Sequence, residues 1–171
     1  MWGENVSFSY KQVGNLVFNQ AEGLIKHKAT NEDLARYLVK IAIPVHLLAK
    51  GVDVPIDSTG VKEDCGHFEL PGEAVKHLSS AYLEAAAASP SATDASVDVE
   101  LYNASDGAVV AKVTFSGEGG FKKSGDIASD LKALGGKVLS GRINVTTASA
   151  TSGATQTFQS IVLVLIYDLT K

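Results

Sequence analysis

Residues 158–169 constrain this chain more than any other stretch. Read as a strand, they place Ile161, Leu163, Leu165 and Tyr167 on one face and Val162, Val164 and Ile166 on the other. A strand in a sheet with one wet face alternates apolar with polar side chains. Here both rows are apolar, so both need cover. The first row suits the core of a sandwich. The second requires the N-terminal part of the chain or a neighbouring subunit. The apolar run from Ile161 to Tyr167 is far shorter than the ~20 residues of a membrane-crossing helix, and no membrane span is expected.

The same period runs through the preceding residues. Val97, Val99 and Leu101 alternate with Asp98, Glu100 and Tyr102. Asn103-Ala104-Ser105-Asp106-Gly107 supplies turn chemistry, and Val109, Ala111, Val113 and Phe115 then alternate with Val110, Lys112 and Thr114. That is a hairpin with one apolar and one polar face. Residues 126–134 read as a short helical crossing closed by Gly135-Gly136. Residues 138–146 form another strand, with Leu139, Ile143 and Val145 opposite Arg142 and Asn144.

The N-terminal part changes period. Val6, Phe8 and Tyr10 alternate over a short strand. Leu16, Val17, Ala21, Leu24 and Ile25 share one face at helical spacing. Thr30 or Asn31 caps a second helix, with Glu32 and Asp33 in its first turn. Its stripe runs through Leu34, Leu38, Ile41 and Ala42, and Pro44 ends it. A strand over residues 39–48 is the alternative, because Ile41, Ile43 and Val45 also alternate. Residues 50–70 read as loops with short extended pieces at 52–56 and 67–70. Residues 72–88 fit two readings: a helix, from the alanine content and the spacing of Val75, Leu78 and Tyr82, or a turn of helix followed by a strand from Ser79.

These patterns predict a mainly β fold: an antiparallel β-sandwich, jelly-roll-like, over residues 50–171. Residues 1–49 are expected as a strand plus two amphipathic helices, an N-terminal helical segment serving as an arm or a sheet cover. The alternating strand, Asp-Gly turn and second alternating strand of residues 97–117, with residues 136–147, resemble jelly-roll modules of carbohydrate-binding proteins and of capsid or surface assemblies. The resemblance implies a fold type and a binding or assembly habit. No site is transferred from it.

Chemistry-bearing residues are sparse. Glu63, Asp64, His67 and Glu69 supply donors for a divalent cation or for proton transfer; a polar loop rim is the plainer reading. Cys65 is the single cysteine, so no internal disulfide forms. Beside His67 or His77 it has the makings of a thiolate pair, but no nucleophile-elbow pattern surrounds it. His27 and His46 sit in or beside apolar segments and read as structural. Gly117-Glu118-Gly119-Gly120-Phe121-Lys122-Lys123-Ser124 is rich in glycine, yet a P-loop places Gly directly before Lys-Ser; here Lys122 stands there and Glu118 repels phosphate. A flexible inter-strand loop is expected instead. Lys122, Lys123, Lys132, Lys137 and Arg142 lack interleaved aromatics. With a net charge of −4, no nucleic-acid partner is expected. Sequons stand at Asn5, Asn103 and Asn144. Ser/Thr-rich strands account for them without glycosylation.

Charged residues make up 20% of the chain, with small neutral side chains in their place, below the usual ~25%. Such a surface is easily dehydrated and orders few long rotamers. The expected function is that of a non-catalytic structural or interaction protein, a homo-oligomer on a virion or cell surface, with no cofactor and no metal. An extracellular setting is favoured although no signal peptide is present. The alternatives are a carbohydrate-binding module stacking a glycan on Trp2, Tyr102, Phe121 or Phe158, and a metal-dependent hydrolase centred on Glu63, Asp64 and His67.

Overall fold

The alternation of apolar side chains is realised as two antiparallel sheets packed face to face. The computed structural model describes residues 40–168. Its strands are β1 (Lys40–Leu48), β2 (Val52–Pro55), β3 (Gly60–Glu69), β4 (Leu78–Ala87), β5 (Ser96–Asn103), β6 (Val109–Ser116), β7 (Gly120–Lys123), β8 (Val138–Thr147) and β9 (Thr155–Asp168). A 3-10 turn at Ala74–His77 precedes β4, and one short helix, α1 (Ala128–Lys132), lies between β7 and β8. Sheet A has the order β1-β9-β4-β7, with β2 also on β9; sheet B has the order β3-β8-β5-β6.

The inner row of β9 is the spine of the core. Phe158, Ile161, Leu163, Leu165 and Tyr167 are all buried. Phe158 and Ile161 both point inward because the pairing with β4 shifts register between Ala86 and Ala87, a bulge that flips the side-chain phase. Phe158 meets Phe115 of sheet B edge to face, ring centroids 5.5 Å apart. Leu83, Val99, Leu101, Ile143 and Leu139 fill the space around them. Leu131 of α1 closes one opening of the sandwich and is fully buried. Gly117 lets two loops touch: a Cβ there would lie 2.0 Å from the Thr93 carbonyl, and its φ is +68°.

Residues 40–48 form a strand, so the helical stripe does not run through Ile41 and Ala42. The alternating option prevails because Ile41, Ile43 and Val45 fall opposite Tyr167, Leu165 and Leu163 of β9. Pro44 is tolerated because β1 is an edge. Sheet A thus reaches back to residue 40, inside the stretch expected as an N-terminal appendage. The strand and helices expected before residue 40 lie outside the described residues. The extended piece expected at 67–70 is the end of a strand starting at Gly60. Register shifts between Val61 and Glu63 and between Asp64 and His67 scramble the alternation that would have revealed it. Residues 120–123, expected in a flexible loop, form β7 on the edge of β4.

Beyond Lys123, side chains replace the missing strand. Ser124 Oγ accepts the Leu83 amide at 2.9 Å, and Asp126 Oδ1 accepts the amides of Ala81 at 2.9 Å and Ala128 at 3.0 Å. The Ala81 amide, then that of Ala128 and the charge of Lys123, hold the Asp126 carboxyl below the usual carboxylate range. A lowered folded-state value stabilises the fold above the unfolded carboxylate pKa and ceases to do so as pH falls through the folded value. Asp126→Ala should cost about 1 kcal/mol at neutral pH, from two lost amide acceptors on a solvent-screened site. In urea melts the gap between variant and parent should close below about pH 4. A gap that is unchanged at acid pH would show that the ionised carboxylate is not what holds this edge.

Candidate functional site

The outer faces of the two sheets differ in chemistry, and register shows why. On sheet A, Ala42, Pro44 and His46 of β1 stand opposite Ile166, Val164 and Val162 of β9. Those stand opposite Ser80, Tyr82 and Glu84 of β4. Next to them, Glu84 and Ala86 face Lys123 and Phe121 of β7. Opposed residues in an antiparallel pair share a face, so these side chains form one surface. Its middle is Val162, Val164 and Ile166, each half-buried by neighbours in the sheet, and its margin is Phe121, 65% exposed. Lys123 lies 3.6 Å from the centre of the Tyr82 ring and pairs with Glu84. Among the described residues, no helix or strand forms a layer over this face.

The outer face of sheet B is polar and internally neutralised. Glu100 lies between Arg142 and Lys112 across its two neighbouring strands, and Asp98 between Asn144 and Thr114. Arg142 Nε donates to Glu100 at 2.5 Å, and Asn144 adds a bond at 3.3 Å. Lys112 and Thr114 donate to Asp98 at 2.8 and 2.6 Å. The two carboxylates are only 3% and 6% exposed. Arg142 also lies over the Tyr102 ring, 4.5 Å from its centre. Buried carboxylates with full sets of donors are structural groups with little left to offer a ligand.

The residues singled out in the sequence are mostly dispersed. Asp64, His67 and Glu69 face Arg142, Ser140 and Val138 along β3, while Glu63 faces Ile143. Among the described residues no three His, Cys, Asp or Glu side chains form a group able to hold a metal ion. Cys65 sits in the β3 bulge. Burial, then the negative charges of Glu63 and Asp64, push its thiol up to about 12, so it is protonated at neutral pH and a poor nucleophile. His77 is on the 3-10 turn, a separate element from Cys65. Lys122 donates to Glu118 and to the Thr114 carbonyl, which leaves no phosphate cradle in 117–124. Lys132 is on α1, and Arg142 is held by Glu100.

The described sequons are occupied by structure. Asn103 is buried, donates to Asp106 and accepts the Ser105 amide; Asn144 lies in mid-strand on Glu100. Of the glycan-stacking candidates, Tyr102, Phe121 and Phe158 share no surface. Phe158 is in the core, Phe121 is on the outer face of sheet A, and Tyr102 is on that of sheet B. Trp2, Asn5 and His27 lie outside the described residues. The sequence pointed to Val162, Val164 and Ile166 but missed Pro44 and Tyr82 opposite Val164, and Phe121 at the margin of the same face, because only cross-strand register joins segments so far apart in the chain.

No protein-family model matches this chain, and no curated protein matches it. Among solved structures it is similar to a chain of the infectious bursal disease virus Gx strain, at 10% identity and a TM-score of 0.44, over 75% of this chain and 32% of that one. It is also similar to a family two carbohydrate esterase from Cellvibrio japonicus, at 10% identity and a TM-score of 0.28, over 75% of this chain and 34% of that one. The chain therefore spans about a third of the length of each. These resemblances are weak and point to no specific family.

The Cys65 environment gives a direct test. Alkylation by iodoacetamide at pH 8 should be at least ~100-fold slower in the folded chain than in the urea-unfolded chain, because the thiolate fraction falls tenfold per pKa unit. Equal rates in the two states would contradict a thiol held protonated by burial.

Proposed function

We propose that this chain is a non-catalytic jelly-roll module that self-associates through the outer face of sheet A, as a structural subunit on a virion or cell surface. The jelly-roll reading takes β1 and β2 as one interrupted strand, since both lie on β9. Two four-stranded sheets result, with first and last strands adjacent, as two Greek keys require. The low charge and small-residue loops suit a crowded surface.

One observation carries the self-association: Val162, Val164 and Ile166 form an apolar row on a face that no layer of the described residues covers, while the opposite face is ion-paired. Three of the edges offer a poorer route. Pro44 removes a backbone donor from β1, the Ser124 and Asp126 side chains occupy the edge of β4, and β3 is bulged twice. Each of these features blunts strand addition. Four strands ~4.8 Å apart and about eight residues long give a footprint of roughly 500 Å² per copy. Two such faces together sit near the ~1,000 Å² lower bound for a specific interface, so the association depends on concentration. The alternative readings have less support, since Tyr102, Phe121 and Phe158 share no platform and Glu63, Asp64 and His67 join no ligand group among the described residues.

Sedimentation of the full chain across micromolar concentrations tests this. The parent should show mass above the monomer, rising with concentration. Val164→Asp, which places a charge in the middle of the row, should weaken association at least tenfold, about 1.4 kcal/mol, with an unchanged far-UV spectrum. A strictly monomeric parent, or a folded Val164→Asp protein that associates as the parent does, would refute the reading.

A further inference from the structure

One rung across the outer face of sheet A carries three ionisable side chains. His46 of β1 stands opposite Val162 of β9, Val162 opposite Glu84 of β4, and Glu84 opposite Lys123 of β7. The next two rungs are Pro44, Val164 and Tyr82, then Ala42, Ile166 and Ser80. The charged rung therefore borders the apolar row at Val162. His46 is exposed on this face, one strand from the row.

The two ends of the rung are not equivalent. Lys123 brings its own counter-charge, since it lies 3.6 Å from Glu84 and over the Tyr82 ring. Glu84 is thereby committed, and it stands two strands, roughly 10 Å, from His46. The other charged groups near β1 are occupied or distant. Lys40 and Asp168 stand opposite each other, six residues or roughly 20 Å along the strand. Asp53 of β2 accepts the Thr157 hydroxyl at 2.5 Å. Lys50, just beyond β1, is a further cation. On β3, which meets β1 beside Gly66 and Leu47, Glu63, Asp64, His67 and Glu69 stand opposite residues of β8. Among the described residues, His46 has no ion-pair partner.

We propose that the pairing through sheet A is acid-sensitive, and that protonation of His46 opens it. The proposal rests on the self-association reading above and adds its regulation. Histidine is the side chain that ordinarily takes up charge between pH 8 and 5. When a second copy covers this face, an imidazolium at His46 loses its hydration and no carboxylate replaces it. A neutral imidazole is covered far more easily. Pairing therefore releases the proton, and affinity falls up to tenfold per pH unit for each copy once the free imidazole is protonated. An isologous pair carries two such groups. Bulk charge pushes the other way. Protonating all four histidines takes the net charge from −4 toward zero, which lessens repulsion between copies. Weaker association in acid is thus the mark of a local group and not of overall charge.

Sedimentation of the full chain at pH 7.5 and pH 5.5 tests this, with His46→Gln, His46→Lys and Val164→Asp beside the parent. The parent's dissociation constant should rise at least tenfold at pH 5.5, with an unchanged far-UV spectrum. His46→Gln, which takes no proton, should associate at pH 7.5 within about threefold of the parent and lose most of that rise. His46→Lys, charged at both pH values, should associate at pH 7.5 as weakly as the parent does at pH 5.5. Parent association that is unchanged or tighter in acid would overturn the proposal. So would a rise that persists in His46→Gln, a His46→Gln protein that is monomeric at pH 7.5, or a His46→Lys protein that associates as the parent does. A fold lost at pH 5.5 would also overturn it, since dissociation would then follow unfolding. In each of these cases, weakening of association by Val164→Asp at pH 7.5 would leave the sheet A face standing and remove its acid sensitivity alone. A parent that is monomeric at both pH values would remove the pairing and the proposal together.

Discussion

β9 holds the two halves of the molecule in one sheet. Over its fourteen residues it pairs with β1, β2 and β4, joining the start of the described chain to its end. A strand bonded on both sides has no free backbone groups, and its central place lets its side chains be apolar in both directions. The inward row accounts for most of what sheet A gives the core. The outward row is the consequence: Val162, Val164 and Ile166 are half-covered by side chains of the strands beside them, and no further layer of described residues lies above.

The polar face shows the opposite solution to the same constraint. Sheet B also has a central pair, β8 and β5, and its outward positions carry Arg142, Asn144, Asp98 and Glu100. Each carboxylate lies between donors on two adjacent strands, so the charges are compensated within the sheet. Such pairs add little net stability when compared with apolar replacements. Their effect is on which face stays wet: desolvating this network would strand buried charges, whereas desolvating the outer row of sheet A costs almost nothing. The difference between faces directs any association to sheet A more firmly than the size of its apolar patch would.

Legibility followed regularity. The β5–β6 hairpin and the part of β9 from Ile161 onward were plain because their apolar alternation is regular and the Asn103–Gly107 turn separates the hairpin strands. β4 was ambiguous, because the alanine-rich run fits a helix as well as a strand with inward positions at Ala81, Leu83 and Ala85. β3 was hidden because two bulges shift its phase, and a period-two reading fails wherever two residues oppose one. β7 was hidden because Gly-Phe-Lys-Lys is too short to show a period. β1 was ambiguous because Ile41, Ile43 and Val45 fit strand spacing while Leu34, Leu38, Ile41 and Ala42 fit helical spacing; only pairing with β9 decides between them. Of the candidate site, the outer row of β9 was visible in the sequence and its neighbours Pro44 and Tyr82 were not, since nothing local marks them as lying beside Val164.

Edges and faces together limit how copies of this chain can meet. Strand addition needs a row of free, aligned backbone donors and acceptors, and three edges of the described sheets are poor in them. Pro44 interrupts β1, side chains of Ser124 and Asp126 fill the edge of β4 beyond β7, and β3 is kinked out of register. At those edges what remains are contacts made by side chains, which are more specific in shape than backbone pairing. On the proposed self-association, the blunted edges and the apolar row on β9 act together: the first limits indiscriminate strand pairing, and the second, over which no layer of described residues lies, supplies the directed contact.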